Sequence, residues 1–536
     1  MGRAPRDWVL WIVPGAVLAL GLTAVRAHGP YYWSPNFDPE YCYLVNAVNL
    51  LTFQAPAHTD HPGTTLQELT AAVCFTRWLA SSLSGSREPL DRAVLRQPEA
   101  CLHAVNLVLN LLLFGLLYWA GRRIRSATGS LRPALVFQAT FLLFRQILLA
   151  QTRVSPEPLL MIAFLALAGL LAPLIARPEP ARTHAELRTA ALAGAATGFG
   201  IVTKVTFAPV ALLGLAFYSR RARIRFLSGM TAAAGVFLIP IYAQLPRVAG
   251  WLWALLARQG RYGSGEVGLP GLAVLAGNAA RLWAEEPLVW LLAAFFLATL
   301  PGWVRRRGES TRARGYAFRF FLAGLAGLFL SVALTIKHYA AHYALPAMML
   351  AALLNGILAA ALLSRPRPAP WPRLFAPAFS VLLAGGLAYA AQRLPGQFSQ
   401  WARHRAEEAQ LEAILGRFED CTVTGVYRCS LPTFALHFGN NFAALRQQRV
   451  LAELYPGTVH YHSFVRRFLD FGFRNQNGEI ARKIQTGGCV LAAGQRDSVE
   501  AIQGFRWEPV GQAGGQIVVR LTGVRKPEAG RAPRRR

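Results

Sequence analysis

Two short acidic motifs stand out on one stretch of the chain. Tyr31 to Tyr41 reads Tyr-Tyr-Trp-Ser-Pro-Asn-Phe-Asp-Pro-Glu-Tyr, and Thr59 to Thr65 reads Thr-Asp-His-Pro-Gly-Thr-Thr. Asp38, Glu40, Asp60 and His61 thus lie near one another among aromatic residues of the kind that sit at membrane interfaces. Asp is scarce, with seven in 536 residues, and two of the seven fall in these motifs. A carboxylate held beside lipid headgroups can take the proton of a sugar or lipid hydroxyl as that hydroxyl attacks, which is general-base chemistry. The same Asp residues also fit as caps of turns or short helices ahead of proline.

A second group consists of cations flanking apolar runs. Arg153 stands in Gln-Thr-Arg-Val-Ser-Pro-Glu-Pro with Glu157, Lys204 in Val-Thr-Lys-Val-Thr, and Lys337 opens Lys-His-Tyr, with His342-Tyr343 close behind. Three cations converging on one site would hold a phosphate or diphosphate and stabilise the charge that develops on a phosphate leaving group. Individually, each also fits a helix-end side chain that snorkels to headgroups. His338 and His342 are spaced i, i+4, which on a continuous helix puts both on one face as a metal site requires, but no HExxH pattern accompanies them. Arg145 falls inside an apolar run and needs a partner there; Glu157 serves if the two helices pack.

The elements that must position these residues are membrane spans. The chain is 54% hydrophobic and only 15% charged, which argues against a soluble enzyme. Its formal charge of +29 calls for an anionic neighbourhood, and the basic residues come in clusters between apolar runs long enough to cross a bilayer, so lipid supplies it better than nucleic acid. Lys occurs only at 204, 337, 483 and 526, so nearly all of the basic charge is arginine, as in a GC-rich bacterial genome. Apolar runs near 8–25, 101–120, 133–151, 155–176, 189–203, 205–219, 226–244, 286–304, 316–336, 343–363 and 374–391 predict about eleven spans. The run 189–219 divides at Thr203-Lys204, because an uninterrupted helix would bury that ammonium in mid-bilayer. With this division, the Arg clusters at 122–132, 177–188, 220–225, 305–319 and 365–373 all face the cytoplasm. The N-terminus is then cytoplasmic, and loop 26–99 and the tail after Arg393 lie outside. The first run reads as a span, with a cleaved signal peptide as the alternative reading.

From about residue 394 the composition turns polar. Phe398 to Phe418 predicts a stalk helix, Cys421 to Cys429 a short strand, and Ile517 to Leu521 a late strand, together a small α/β domain ending in a disordered basic tail, 531–536. A continuous strand holds Cys421 and Cys429 roughly 26 Å apart, so they do not pair with each other, and either is free in sequence terms to pair with Cys489. His460 and His462 alternate as on a strand and read as surface residues. No cysteine spacing indicates zinc, and no P-loop or dinucleotide fingerprint is present.

Taken in order, these motifs resemble the GT-C membrane glycosyltransferases. The resemblance rests on Asp38 followed by His-Pro-Gly at His61 to Gly63 and on Arg-x-x-x-Pro-Glu-Pro from Arg153 to Pro158. It continues in Gly-x-x-x-Gly-x-x-x-x-x-Lys from Gly194 to Lys204 and in the Lys337 to Pro346 motif. The pattern is similar to that of protein O-mannosyltransferases, the aminoarabinose transferases that modify lipid A, and bacterial relatives with a His-Pro-Pro loop, and covers about residues 8–391. Pro39 separates Asp38 from Glu40 where the family often has adjacent acids, and Gly63 replaces the second proline of the loop. The tail resembles no family.

The resemblance implies an all-α polytopic membrane protein with a GT-C-like catalytic domain, 1–393; the extracytoplasmic α/β domain, 394–530, is read from the tail's own pattern. It implies inverting transfer of a sugar from a polyprenyl-phosphate donor to a hydroxyl of a lipid, glycan or protein at the outer face of the bacterial inner membrane. Asp38 or Glu40 would be the base, and Arg153, Lys204 and Lys337 would meet the donor phosphate. Asp60, His61, Glu157, His338, His342 and Tyr343 would line the substrate site. The sequence requires no cofactor and assigns no metal ligand, though it leaves a divalent metal open. Membrane lipid is an expected partner, and nucleic acid is not. A flippase of lipid-linked sugars is the rival reading; it would carry internal repeats with paired charges inside helices. No such repeat is visible. A third reading, a wall-assembly scaffold, would make the loop acids dispensable.

Overall fold

The computed structural model describes residues 7–33, 37–60, 62–176, 184–305, 315–363, 370–463 and 465–525. His61 and the basic end 531–536 lie outside the described residues. Two compact units emerge, one of residues 1–26, 59–66 and 106–396, the other of 27–58, 67–105 and 397–536.

Every expected apolar run falls on helix. A chain in lipid must satisfy its backbone polar groups internally, and about 20 apolar residues at 1.5 Å rise cross the hydrocarbon. Among the described residues, six helices meet that requirement: Asp7–His28, Pro98–Thr128, Pro156–Ile175, Gly315–Lys337, Ala341–Leu362 and Phe375–Phe418. Three pairs bent by 72°, 80° and 98° raise the number to nine if each counts as one span. This is fewer than eleven, because the run 189–219 contributes the helix His184–Thr203 and a 12-residue 3-10 helix, Val205–Ala216, neither of which meets the requirement. The chain does break at Lys204, whose backbone is extended between the two.

The first unit shows what the glycine motif ahead of Lys204 does. A side chain added at Gly194 would run into the Phe226 carbonyl, and one at Gly198 into that of Met230; Gly229 is closed in the same way by Ala191. Helices His184–Thr203 and Arg220–Phe237 therefore touch backbone to backbone, the close approach that small residues permit between membrane helices. Gly194→Leu is expected to lower the thermal midpoint of the detergent-solubilised protein by an amount corresponding to roughly 1–3 kcal/mol. Gly235→Leu, where nothing stands within 4 Å, serves as the comparison, and equal midpoints for the two variants would contradict the packing argument.

The second unit is built on a six-stranded sheet: β1 (Thr422–Gly425), β2 (Val459–His462), β3 (Arg467–Asp470), β4 (Val490–Gln495), β5 (Phe505–Ala513) and β6 (Gln516–Val524), in the order β3-β2-β1-β4-β6-β5. β1 runs parallel to β2 and β4, and the remaining pairs are antiparallel. Val426, Tyr461, Phe468, Val490, Ala492 and Val519 fill the core beneath it. The strand expected over Cys421 to Cys429 stops at Gly425, because the chain turns at Arg428, which has φ 58°. Cys421 pairs with Cys489, with the Cα atoms 4.6 Å apart, just ahead of the β1 and β4 register pair Thr422 and Val490. Cys429 is a buried free thiol. The expected stalk helix is continuous with the last apolar run as one helix, Pro370–Leu415.

One reading from sequence is corrected. His460 is 1% exposed and His462 half-buried, so they are not surface histidines; both turn toward the buried His437 and the rings of Phe471 or Phe473. Alternation along a strand reports two faces, and here the helix Pro432–Phe442 supplies the ring that meets theirs.

Candidate functional site

In the first unit, Lys204 is the centre. It is 3% exposed, and its ammonium pairs with the Glu157 carboxylate, which is itself 6% exposed. Glu157 sits in the first turn of Pro156–Ile175, where the helix N-terminus favours an anion, and Ser155 hydrogen-bonds to it. His342 Nε2 lies 3.9 Å from the same carboxylate, and the Tyr343 ring lies 4.9 Å from the Lys204 nitrogen. Arg153 and Lys204 both reach His342 electrostatically. Asn106 holds the turn before Arg153 by donating to the carbonyls of Gln151 at 2.9 Å and Arg153 at 3.4 Å.

The Thr-Asp-His-Pro-Gly-Thr-Thr motif joins this group through its backbone. Pro62 bridges Lys204 in antiparallel fashion, Gly63 N–H donates to the Val202 carbonyl at 3.2 Å, and the Thr65 and Thr203 hydroxyls lie 2.7 Å apart. Asp60 is half-buried two residues before Pro62. The extended backbone of Lys204 is what makes this pairing available, since a helical residue has no free ladder edge to offer.

Lys337 and His338 turn to another partner. Lys337 donates to the carbonyls of Leu255, at 2.9 Å, and Leu256, and His338 Nε2 donates to Leu255 at 2.8 Å. These carbonyls belong to the last turn of Leu245–Ala257, where a cation complements the helix dipole. Burial holds the His338 imidazole below its ordinary range. The helix Gly315–Lys337 ends at Lys337 and a new turn begins at Ala341, so His338 and His342 do not share a helix face. Glu157 is taken by Lys204, whereas Arg145 lies within electrostatic reach of Glu286.

In the second unit, Asp38 and Glu40 open the helix Phe37–Leu51, with Asp38 extended (φ −108°, ψ 116°) ahead of the cis Asp38-Pro39 bond. Asp38 is exposed and Glu40 is wholly buried. Glu99 clasps the aromatic loop before them, accepting from the N–H groups of Tyr31 and Tyr32 at 2.9 Å each and from the Tyr41 hydroxyl at 2.8 Å. Burial and the neighbouring Glu99 push the Tyr41 hydroxyl well above its ordinary range.

The far side of the acidic helix rests on Pro432–Phe442. Phe37 stacks edge-on against Phe434 and Phe438, and Gly439 leaves room for the Tyr41 carbonyl. Asn46 donates to the Phe442 carbonyl at 3.3 Å, Asn49 to that of Ala443 at 3.2 Å, and Gln447 back to Asn49 at 2.8 Å. Residues almost 400 positions downstream therefore position Asp38. Sequence reasoning missed Ser155, Asn106, Glu99 and this contact; the asparagines at 46 and 49, three apart in an apolar helix, were the visible signal.

No protein-family model matches the chain, and no curated protein matches it in sequence. In fold, it is similar to the crystal structure of ArnT from Cupriavidus metallidurans bound to undecaprenyl phosphate. The match is 13% identical with a TM-score of 0.50, and covers 96% of this chain and 98% of that one. The apo-state structure of the same protein is 14% identical with a TM-score of 0.47, over 96% and 97%. The chain thus has a GT-C-like polytopic fold with a C-terminal sheet domain.

Proposed function

We propose that this protein is an inverting glycosyltransferase that moves a sugar from a polyprenyl-phosphate donor to an acceptor hydroxyl at the outer face of a bacterial inner membrane. The observation that carries the reading is the buried Lys204, fixed by Glu157 and shared with Arg153 around His342 at the break between His184–Thr203 and Val205–Ala216. A cation kept at such a place is costly and marks a site for an anion. The fold likeness to a protein solved with undecaprenyl phosphate names a suitable anion. The sidedness follows from the Arg clusters, with the N-terminus cytoplasmic and the C-terminal unit outside. A C-terminal reporter active only outside the cytoplasm checks it.

In the proposed step, the Asp38 carboxylate accepts the acceptor O–H proton and the oxygen forms a bond to the anomeric carbon. The bond from that carbon to the phosphate oxygen breaks, and polyprenyl phosphate departs with its charge met by Arg153 and Lys204. Asp38 is preferred to Glu40 because it is exposed, while Glu40 has no access to an acceptor. Asp60, His342 and Tyr343 line the donor side in this reading. No metal is assigned to the step.

Asp38→Asn is expected to lower the turnover of polyprenyl-phosphate sugars in liposomes by about 10²–10⁴-fold, with donor binding retained. Unchanged turnover removes Asp38 from the base role. Glu40→Gln is expected to retain transfer, and its loss in a folded protein would move the role to Glu40.

A further inference from the structure

Cys421 and Cys489 are bridged, and of the other, buried cysteines two face each other. Cys74 lies in the helix Thr64–Leu83 and Cys101 in the first turn of Pro98–Thr128, exposed by 1% and 2%. Their thiols are hydrogen-bonded together and both lie within electrostatic reach of Arg77. A second contact fixes the same register: Arg77, three residues after Cys74, donates to Gln97, four residues before Cys101, at 3.0 Å. Trp78 donates to the Glu88 carbonyl at 2.9 Å and holds the intervening chain. At 1.5 Å per residue, the 31-residue helix Pro98–Thr128 is longer than the hydrocarbon is thick, so its first turn can stand clear of the bilayer.

We infer that Cys74 and Cys101 form a second disulfide of the mature protein. Both belong to the compact unit that contains the Cys421–Cys489 disulfide and therefore share its compartment. Disulfides persist where the surroundings are oxidising, so the inference rests on the proposed placement of that unit outside the cytoplasm. The oxidant is a disulfide-bearing thiol oxidoreductase. One thiolate attacks its disulfide to give a mixed disulfide, the second thiolate displaces the carrier, and the carrier leaves as a dithiol holding the two electrons and the two protons that the cysteines gave up. Because both sulfurs are buried in the folded chain, the bond forms before the two helices close over it, and it is then shielded from exchange. It ties the helix that follows the Thr-Asp-His-Pro-Gly motif to the start of the next span. Cys42 and Cys429, both buried, remain thiols.

The full-length protein, denatured in SDS and reacted with a maleimide mass tag, tests this by counting. Without reductant, two tags are expected, on Cys42 and Cys429; after reduction, six. Four tags without reductant, with four also in the Cys421→Ser/Cys489→Ser variant, would show Cys74 and Cys101 free and overturn the inference while leaving the sidedness intact. Six tags would show both pairs reduced and overturn the sidedness as well. The Cys421→Ser/Cys489→Ser variant should still take two tags without reductant, and four there would count against the bond. Mass spectrometry of unreduced peptides should find the two cysteines linked.

Discussion

Glu157→Gln is expected to destabilise the membrane unit and abolish transfer, whereas pairing it with Lys204→Met should restore stability without restoring transfer. Glutamine keeps the shape and a hydrogen-bond acceptor but leaves the Lys204 ammonium, whose side chain is 4% exposed, without its counter-charge. Removing one partner of a buried ion pair costs about 3–5 kcal/mol, while replacing both by uncharged groups is often neutral or better. Thermal unfolding in nanodiscs should therefore fall for the single variant and recover for the double one. Activity follows a different rule, since the leaving phosphate needs the cation whatever its effect on stability. A double variant that is stable and inactive supports the assignment. A stable double variant with wild-type turnover would make Lys204–Glu157 a structural clasp only, and an unaffected single variant would refute the buried pair.

Acidification from pH 7.5 to 4.5 is expected to destabilise the C-terminal sheet unit. His437 is 4% exposed, and both of its ring nitrogens lack a hydrogen-bond partner among the described residues. Burial, with His462 adding to it and Asp470 opposing it, pulls His437 down to about 4. His460 is held well below its ordinary value by burial and by His437, and its Nδ1 accepts the Gly425 N–H at 3.0 Å, the bond of a neutral ring. Burial also lowers His462. Phe434, Phe471 and Phe473 close the cluster and carry no charge to compensate.

The folded-state values lie below the unfolded value near 6.5, so the unfolded chain binds more protons over this interval. Stability is fully present above about pH 6.5 and is lost as the pH falls toward 4, by roughly 3 kcal/mol from His437 alone. Denaturant midpoints across this range should fall steeply in the wild type and less in His437→Phe. Equal wild-type midpoints at pH 7.5 and 4.5 would show that the cluster is not buried in its neutral form.

Some of this architecture is local and legible in the sequence. Runs of apolar residues near the hydrocarbon length between Arg clusters specify helices, because each helix satisfies its own backbone and needs no distant partner. The break at Lys204 was legible for the same reason, since a cation cannot rest alone in the middle of a span. Gly194 and Gly198 were visible as a motif ahead of Lys204, although their use in helix packing was not.

Partnership was not legible. The carboxylate that neutralises Lys204 is 47 residues away and could have served Arg145 equally well by type. Lys337 has the residue type and helix-end position of a phosphate ligand, and that it also donates hydrogen bonds to the carbonyls ending Leu245–Ala257 could not be read from its type. The exposure of Asp38 beside a buried Glu40 depends on a helix near residue 440 packing under the first loop. Charge and hydropathy along a chain determine which segments fold as helices and which residues need a counter-charge. Which residue meets that need is a property of close packing between elements remote in sequence, where geometry chooses among chemically equivalent candidates.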